Sequence, residues 1–117
     1  MTSQAQAKSP LPEVLGLAFL GFPLHPPKQL SSERAEHLSQ VTVPLLFLQG
    51  TRDEMADPQL LRALVERLGQ RATLKLTDNA NHSFHVPARS GRTQAQVIDD
   101  LARTLSDWID SLIPRKA

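Results

Sequence analysis

Asp53 and His82 are the residues of this chain best placed to move a proton. Asp53 ends the run Pro44-Leu45-Leu46-Phe47-Leu48-Gln49-Gly50-Thr51-Arg52-Asp53, in which an apolar strand gives way to a polar turn. His82 follows 29 residues later, in Asn81-His82-Ser83-Phe84, a separation with room for one crossover helix and one strand. A carboxylate that accepts the Nδ1 proton of an imidazole fixes its tautomer and stabilises the imidazolium formed when a hydroxyl gives up its proton. The pair thus suits the last two members of a Ser-Asp-His triad. When the members run in the order nucleophile, acid, base, the nucleophile sits upstream on a Gly-x-Ser-x-Gly turn between a strand and a helix. No such turn occurs in the 117 residues.

Other serines do not supply one. Ser3 and Ser9 lie in a polar leading segment, Ser31-Ser32 read as a helix cap, Ser83 adjoins the histidine and Ser90 falls in a long loop. None follows a strand with flanking glycines, and so none has the strained turn and backbone N–H pair that hold an oxyanion. Each member of the pair also has a plainer reading taken singly: Asp53 as the end of a turn begun by Thr51, and His82 as an exposed loop histidine. Glu54 and Asp57 are close to Asp53, with Asp57 better explained as a helix cap. His85 is three residues after His82, but that spacing needs a helix to make a metal pair and the stretch reads as loop, so no metal site is expected. His25 stands among prolines and reads as a packing or loop-ordering residue; Asp99 and Asp100 read as solvated.

Composition narrows the function class. With 13 Lys and Arg against 12 Asp and Glu, the formal charge of +1 gives no field to draw nucleic acid or an anionic membrane. The absence of cysteine excludes disulfides, thiolate catalysis and cysteine-bound metals, and fits a reducing compartment. The first ten residues lack the apolar run of a secretory signal, and no segment nears the roughly 20 apolar residues that span a bilayer. A soluble cytoplasmic protein is expected, and no cofactor is implied.

The elements that must position the pair are legible as apolar runs. Residues 1–13, with Pro10 and Pro12, read as a flexible arm, and 114–117 as a tail; residues 14–113 form the ordered part. Val14 to Leu20 reads as a first strand buried on both faces, Val43 to Leu48 as a second, and Ala72 to Thr77 as a third. Gly21 to Leu30 holds three prolines and reads as a rigid loop, followed by a short helix over Glu33 to Leu38. Asp57 and Pro58 open a helix that ends at Gly69. Thr93 caps the last helix, whose Val97, Ile98, Leu101, Leu105, Trp108, Ile109 and Leu112 share one face, and Pro114 stops it. Continuous apolar strands alternating with helices imply parallel pairing, with functional residues at the carboxyl ends of the strands.

The segments Gly16-Leu17-Ala18-Phe19-Leu20-Gly21-Phe22-Pro23-Leu24-His25-Pro26-Pro27, Glu36-His37-Leu38, Val43 to Asp53 and Asn81-His82-Ser83-Phe84 carry a resemblance. Together they resemble the dienelactone-hydrolase-like branch of the α/β-hydrolases, and more narrowly the small hydrolases related to subunit 3 of the nonspecific-lethal histone acetyltransferase complex. The likeness spans about Val14 to Ile113, and its specific part is the Gly-Phe-Pro-Leu-His-Pro-Pro loop. It implies an α/β fold in which this chain is the C-terminal portion of a hydrolase domain, three parallel strands with flanking helices equivalent to the sixth to eighth strands. It also implies Asp53 as acid, His82 as base, and ester or related acyl substrates. The Gly-x-Ser-Met-Gly-Gly elbow of that branch has no counterpart here, so the isolated chain is expected to turn over little or nothing without a nucleophile half. The first strand would then keep an open edge, a template for self-association or a partner chain. A non-catalytic interaction module derived from a hydrolase is the alternative.

Overall fold

Three parallel strands, β1 (Leu17–Leu20), β2 (Leu45–Gly50) and β3 (Ala72–Thr77), form one sheet in the order β1-β2-β3. The structure is a computed structural model and describes residues 3, 7, 14–25, 27–31 and 33–113. β2 lies in the middle, and its uninterrupted apolar sequence reflects burial of every residue from Leu45 to Gly50. Leu45 and Phe47 face one layer, where Leu61, Leu64 and Leu68 of helix α1 (Pro58–Leu68) pack with Ala35 and Leu38. Leu46 and Leu48 face the other, covered by Val97 and Leu101 of helix α2 (Gln94–Leu112) with Ala80 and Phe84. The sheet is therefore sandwiched between helices. Each fully buried Leu or Phe contributes about 1.5–3 kcal/mol by leaving water.

Both helices start where side-chain oxygens meet orphan amides. Asp57 accepts from the Leu60 N–H at 3.0 Å, and Pro58 fills the first turn, where no N–H is needed. At α2, Thr93 accepts from the Gln96 N–H at 3.1 Å while Gln96 Oε1 accepts from the Thr93 N–H at 2.8 Å, a reciprocal capping box. The short helix expected over Glu33 to Leu38 is a 3-10 helix, Glu33–Gln40.

One expectation needs correction. The first strand is shorter than Val14 to Leu20, and it alternates rather than being buried on both faces: Leu17 and Phe19 are half-buried, Ala18 and Leu20 exposed. The register explains this. Ala18 aligns with Leu46 and Leu20 with Leu48, but α2 lies over the β2 pair and leaves the β1 pair uncovered. On the last helix, Val97 and Leu101 are buried, whereas Ile98 is 56% and Ile109 42% exposed, because a single helix–strand contact covers a narrower stripe than seven residues occupy.

Of the arm expected over residues 1–13, the two described positions are packed rather than free. Ser3 is buried with its Oγ 2.8 Å from His37 Nε2, and the partly buried Ala7 packs against the core. The rest of that segment, the Ser32 cap, Pro114 and the tail 114–117 lie outside the described residues.

Candidate active site

The carboxyl ends of all three strands meet at Asp53 and His82. β2 ends at Gly50 beside Thr77, the last residue of β3, so the loops that follow are adjacent. They are tied by backbone bonds from Thr51 N–H to Thr77 O (3.0 Å) and from Arg52 N–H to Ala80 O (2.9 Å). The Thr51 hydroxyl adds an acceptor for the Asn79 N–H at 2.8 Å. Gly50 is required by this closeness, since a Cβ there would lie 2.1 Å from Ala80 O.

Asp53 is buried, its carboxylate held by three donors. Oδ1 accepts from the Met55 N–H at 2.8 Å, a local Asx turn; Oδ2 accepts from Gln49 Nε2 at 3.2 Å and faces His82 Nδ1 at 2.7 Å. His82 sits on a loop shaped by Asn81, whose Oδ1 accepts from the N–H groups of Ser83 (2.9 Å) and His85 (3.0 Å). Phe84 anchors that loop in the core beneath α2, its backbone in the left-handed region at φ 63°. The His82 side chain is 40% exposed and lines a cleft of about 390 Å³ with Arg52, Glu54, Met55 and Ser83. Among the described residues no group is hydrogen-bonded to His82 Nε2. His85 is turned outward, and among the described residues no three His, Cys, Asp or Glu side chains cluster as metal ligands.

β1 supplies the third wall. Gly21, at φ 81°, lies against the His82 ring, and a Cβ there would come within 3.2 Å of Cε1 and 3.3 Å of Nδ1. The next residue, Phe22, donates its backbone N–H to Gln49 Oε1. His25 then clamps the acid loop: its N–H donates to Met55 O at 2.9 Å and its Nε2 accepts from the Asp57 N–H at 2.9 Å, which puts the ring proton on Nδ1. The Pro-rich loop is thus a brace for the loop that carries Asp53.

The structure brings together the two residues singled out from the sequence, with the Nδ1-to-carboxylate contact that a triad uses. Sequence reasoning missed Gln49 and Gly21 as parts of this site. The available signal for Gln49 was a lone amide side chain closing an otherwise apolar, buried strand. Among the described residues no helix is long and apolar enough to cross a membrane. In comparison with known families, a model described as an alpha/beta hydrolase domain matches residues 1–110. No solved structure matches the chain significantly.

Proposed function

The chain belongs to the alpha/beta hydrolase domain family, and from that premise we propose that it carries the acid and base of a serine hydrolase acting on esters or related acyl compounds. The observation that carries the reading is the 2.7 Å contact between His82 Nδ1 and the buried Asp53 carboxylate, on a ring that borders a cleft. In this role His82 Nε2 takes the proton of a serine hydroxyl as its oxygen attacks the acyl carbon, Asp53 stabilises the imidazolium, and the proton passes on to the leaving group. The serine is assigned to a segment outside these 117 residues, in the same polypeptide or another chain, because no Gly-x-Ser-x-Gly turn is among them. The 117-residue chain by itself is therefore inactive. The Gly21 to Pro27 sequence supports placement in the dienelactone-hydrolase-like branch near the relatives of subunit 3 of the nonspecific-lethal complex, and the absence of cysteine supports a cytoplasmic location. A fluorophosphonate probe tests the reading: it labels the enzyme completed by its nucleophile segment and leaves the 117-residue chain blank. Labelling of the chain alone would contradict it.

A second reading, a hydrolase-derived interaction module, is favoured by one observation. The two flanks of the sheet's α2 face differ: β3 presents Thr73 and Lys75, as edge strands do, whereas β1 presents Ala18 and Leu20. The Leu17 amide bonds to Pro44 O, just before β2, and the Gly21 amide to Leu48 O within it, so by alternation those of Ala18 and Leu20 point to the open edge. In this reading β1 associates with another chain or a second copy, and His82→Ala leaves the biological role intact; loss of that role counts against it.

A further inference from the structure

We infer that β1 and α2 together form a twofold self-association face, on which a second copy of this chain extends the sheet through β1 and packs its own α2 against this one. The inference rests on the reading of β1 as an association surface and adds to it the helix layer, the partner and the register. α2 crosses the sheet on a slant. Val97 and Leu101, in its first half, cover Leu46 and Leu48 of β2. Its second half is seated at Gly16, just before β1, where a Cβ would lie 2.8 Å from Leu112 Cδ1 and 2.9 Å from Trp108 Cη2. A wedge is left between the helix and the sheet edge, an apolar groove of about 500 Å³ whose walls include Leu17, Ala18, Leu105, Trp108, Ile109 and Leu112. Along the same side of α2, Ile98, Ala102, Leu105 and Ile109 form a row in which only Leu105 is half-buried and the others are exposed.

Both layers of this face are complementary to themselves. A twofold contact requires that residue i meet j of the second copy and that j meet i. On β1, the backbone groups of Ala18 and Leu20 point to the open edge. An axis normal to the sheet beside Phe19 sets Ala18 opposite Leu20 of the second copy, and Leu20 opposite its Ala18, each pair exchanging two hydrogen bonds as in an antiparallel ladder. A small side chain then stands beside a large one on the face that α2 overlooks. On α2, the row is spaced by four, three and four residues and so reads the same in both directions. Antiparallel helices therefore match Ile98 with Ile109 of the second copy and Ala102 with its Leu105, the alternating spacing of a helix seam. One axis serves both layers, because the middle of the row lies between the end of α2 seated on β2 and the end seated at Gly16, close to the level of Ala18. Charge does not oppose the contact. The row holds no ionisable residue, helical spacing turns Asp100, Arg103 and Asp107 away from it, and the net charge of the chain is only +1. Four strand residues and one flank of a helix make a small face beside the roughly 20–30 residues a side of a stable interface, so the second copy is held in the micromolar range.

The experiment combines cross-linking and sedimentation of the 117-residue chain at concentrations on the order of tens of micromolar. The chain has no cysteine, so one placed on α2 reports alone. With a short bis-maleimide, Ala102→Cys is expected to give a covalent dimer and nothing larger, whereas Asp107→Cys, on the opposite side of the helix, stays monomeric. Ile98→Cys by itself also stays monomeric, because the two copies of residue 98 lie about 16 Å apart along antiparallel helices, and it links when mixed with Ile109→Cys. Linking of Ile98→Cys to itself, or equal yields from Ala102→Cys and Asp107→Cys, overturns the inference. In sedimentation, Ile109→Lys with native amide dispersion is expected to be a monomer where the native chain is a dimer. A dimer that Ile109→Lys leaves intact overturns this inference alone, and the reading of β1 survives if Leu20→Lys disperses that dimer. A native monomer overturns both.

Discussion

Gly21 lies under the imidazole of His82, so close that a Cβ would sit 3.2 Å from Cε1 and 3.1 Å from the His82 carbonyl oxygen. Two costs meet at this position. A left-handed φ of 81° strains any L side chain by about 1–2 kcal/mol, and the added methyl pushes the ring away from Asp53. Gly69 separates the two costs, because its φ is 77° and a methyl added there would meet nothing within 4 Å. Gly21→Ala is expected to lose more stability than Gly69→Ala in urea titrations, and only Gly21→Ala to disturb the His82 ring-nitrogen spectrum. Equal spectra for both variants would remove Gly21 from the site.

Asp53→Asn keeps the shape of the acid and replaces one acceptor oxygen by a donor. In a triad that change leaves the imidazole in the wrong tautomer and lowers turnover by about 10⁴-fold. The same loss is expected in the enzyme completed by its nucleophile segment, read as the rate of phosphonate labelling. Labelling within about tenfold of native would mean that Asp53 is a turn residue and nothing more.

The fold was legible where a residue's burial is set by its own strand or helix, and less so where it depends on what lies next door. The continuous run Leu45 to Leu48 announced a central strand, and Asp57-Pro58 and Thr93 announced two helix starts, all governed by local chemistry. Ala18 and Leu20 look as apolar as Leu46 and Leu48, yet only the latter are covered, because coverage depends on where α2 lies across the sheet. At the site, Asp53 and His82 stood out by type and order. Gln49 did not, since its role comes from Phe22, 27 residues earlier, being brought alongside by the β1–β2 pairing.

His25 is buried and accepts from the amide that opens α1, so its loss reaches the acid loop. His25→Phe fills the volume but leaves the Asp57 N–H without its acceptor, an expected cost of about 1–3 kcal/mol. Asp57→Ala removes the cap itself, at about 0.5–2 kcal/mol. Because both act on residues 55–57, the double variant should fall short of the sum of the two in chemical denaturation. Full additivity would show that the brace and the cap are independent.

Leu20 and Leu48 are partners in register, one 56% exposed on the edge strand and the other fully buried. Leu48→Ala opens a hole under α2 and should cost about 2–5 kcal/mol. Leu20→Lys removes no buried contact and should change stability by no more than about 0.5 kcal/mol. A charge on an edge strand, however, opposes pairing with another chain. If β1 associates, sedimentation at concentrations on the order of tens of micromolar should show native protein larger than a monomer and Leu20→Lys reduced to one. A well-folded native monomer under those conditions removes β1 as an association surface, and the exposed Ala18 and Leu20 would then be an apolar flank that solvent simply tolerates.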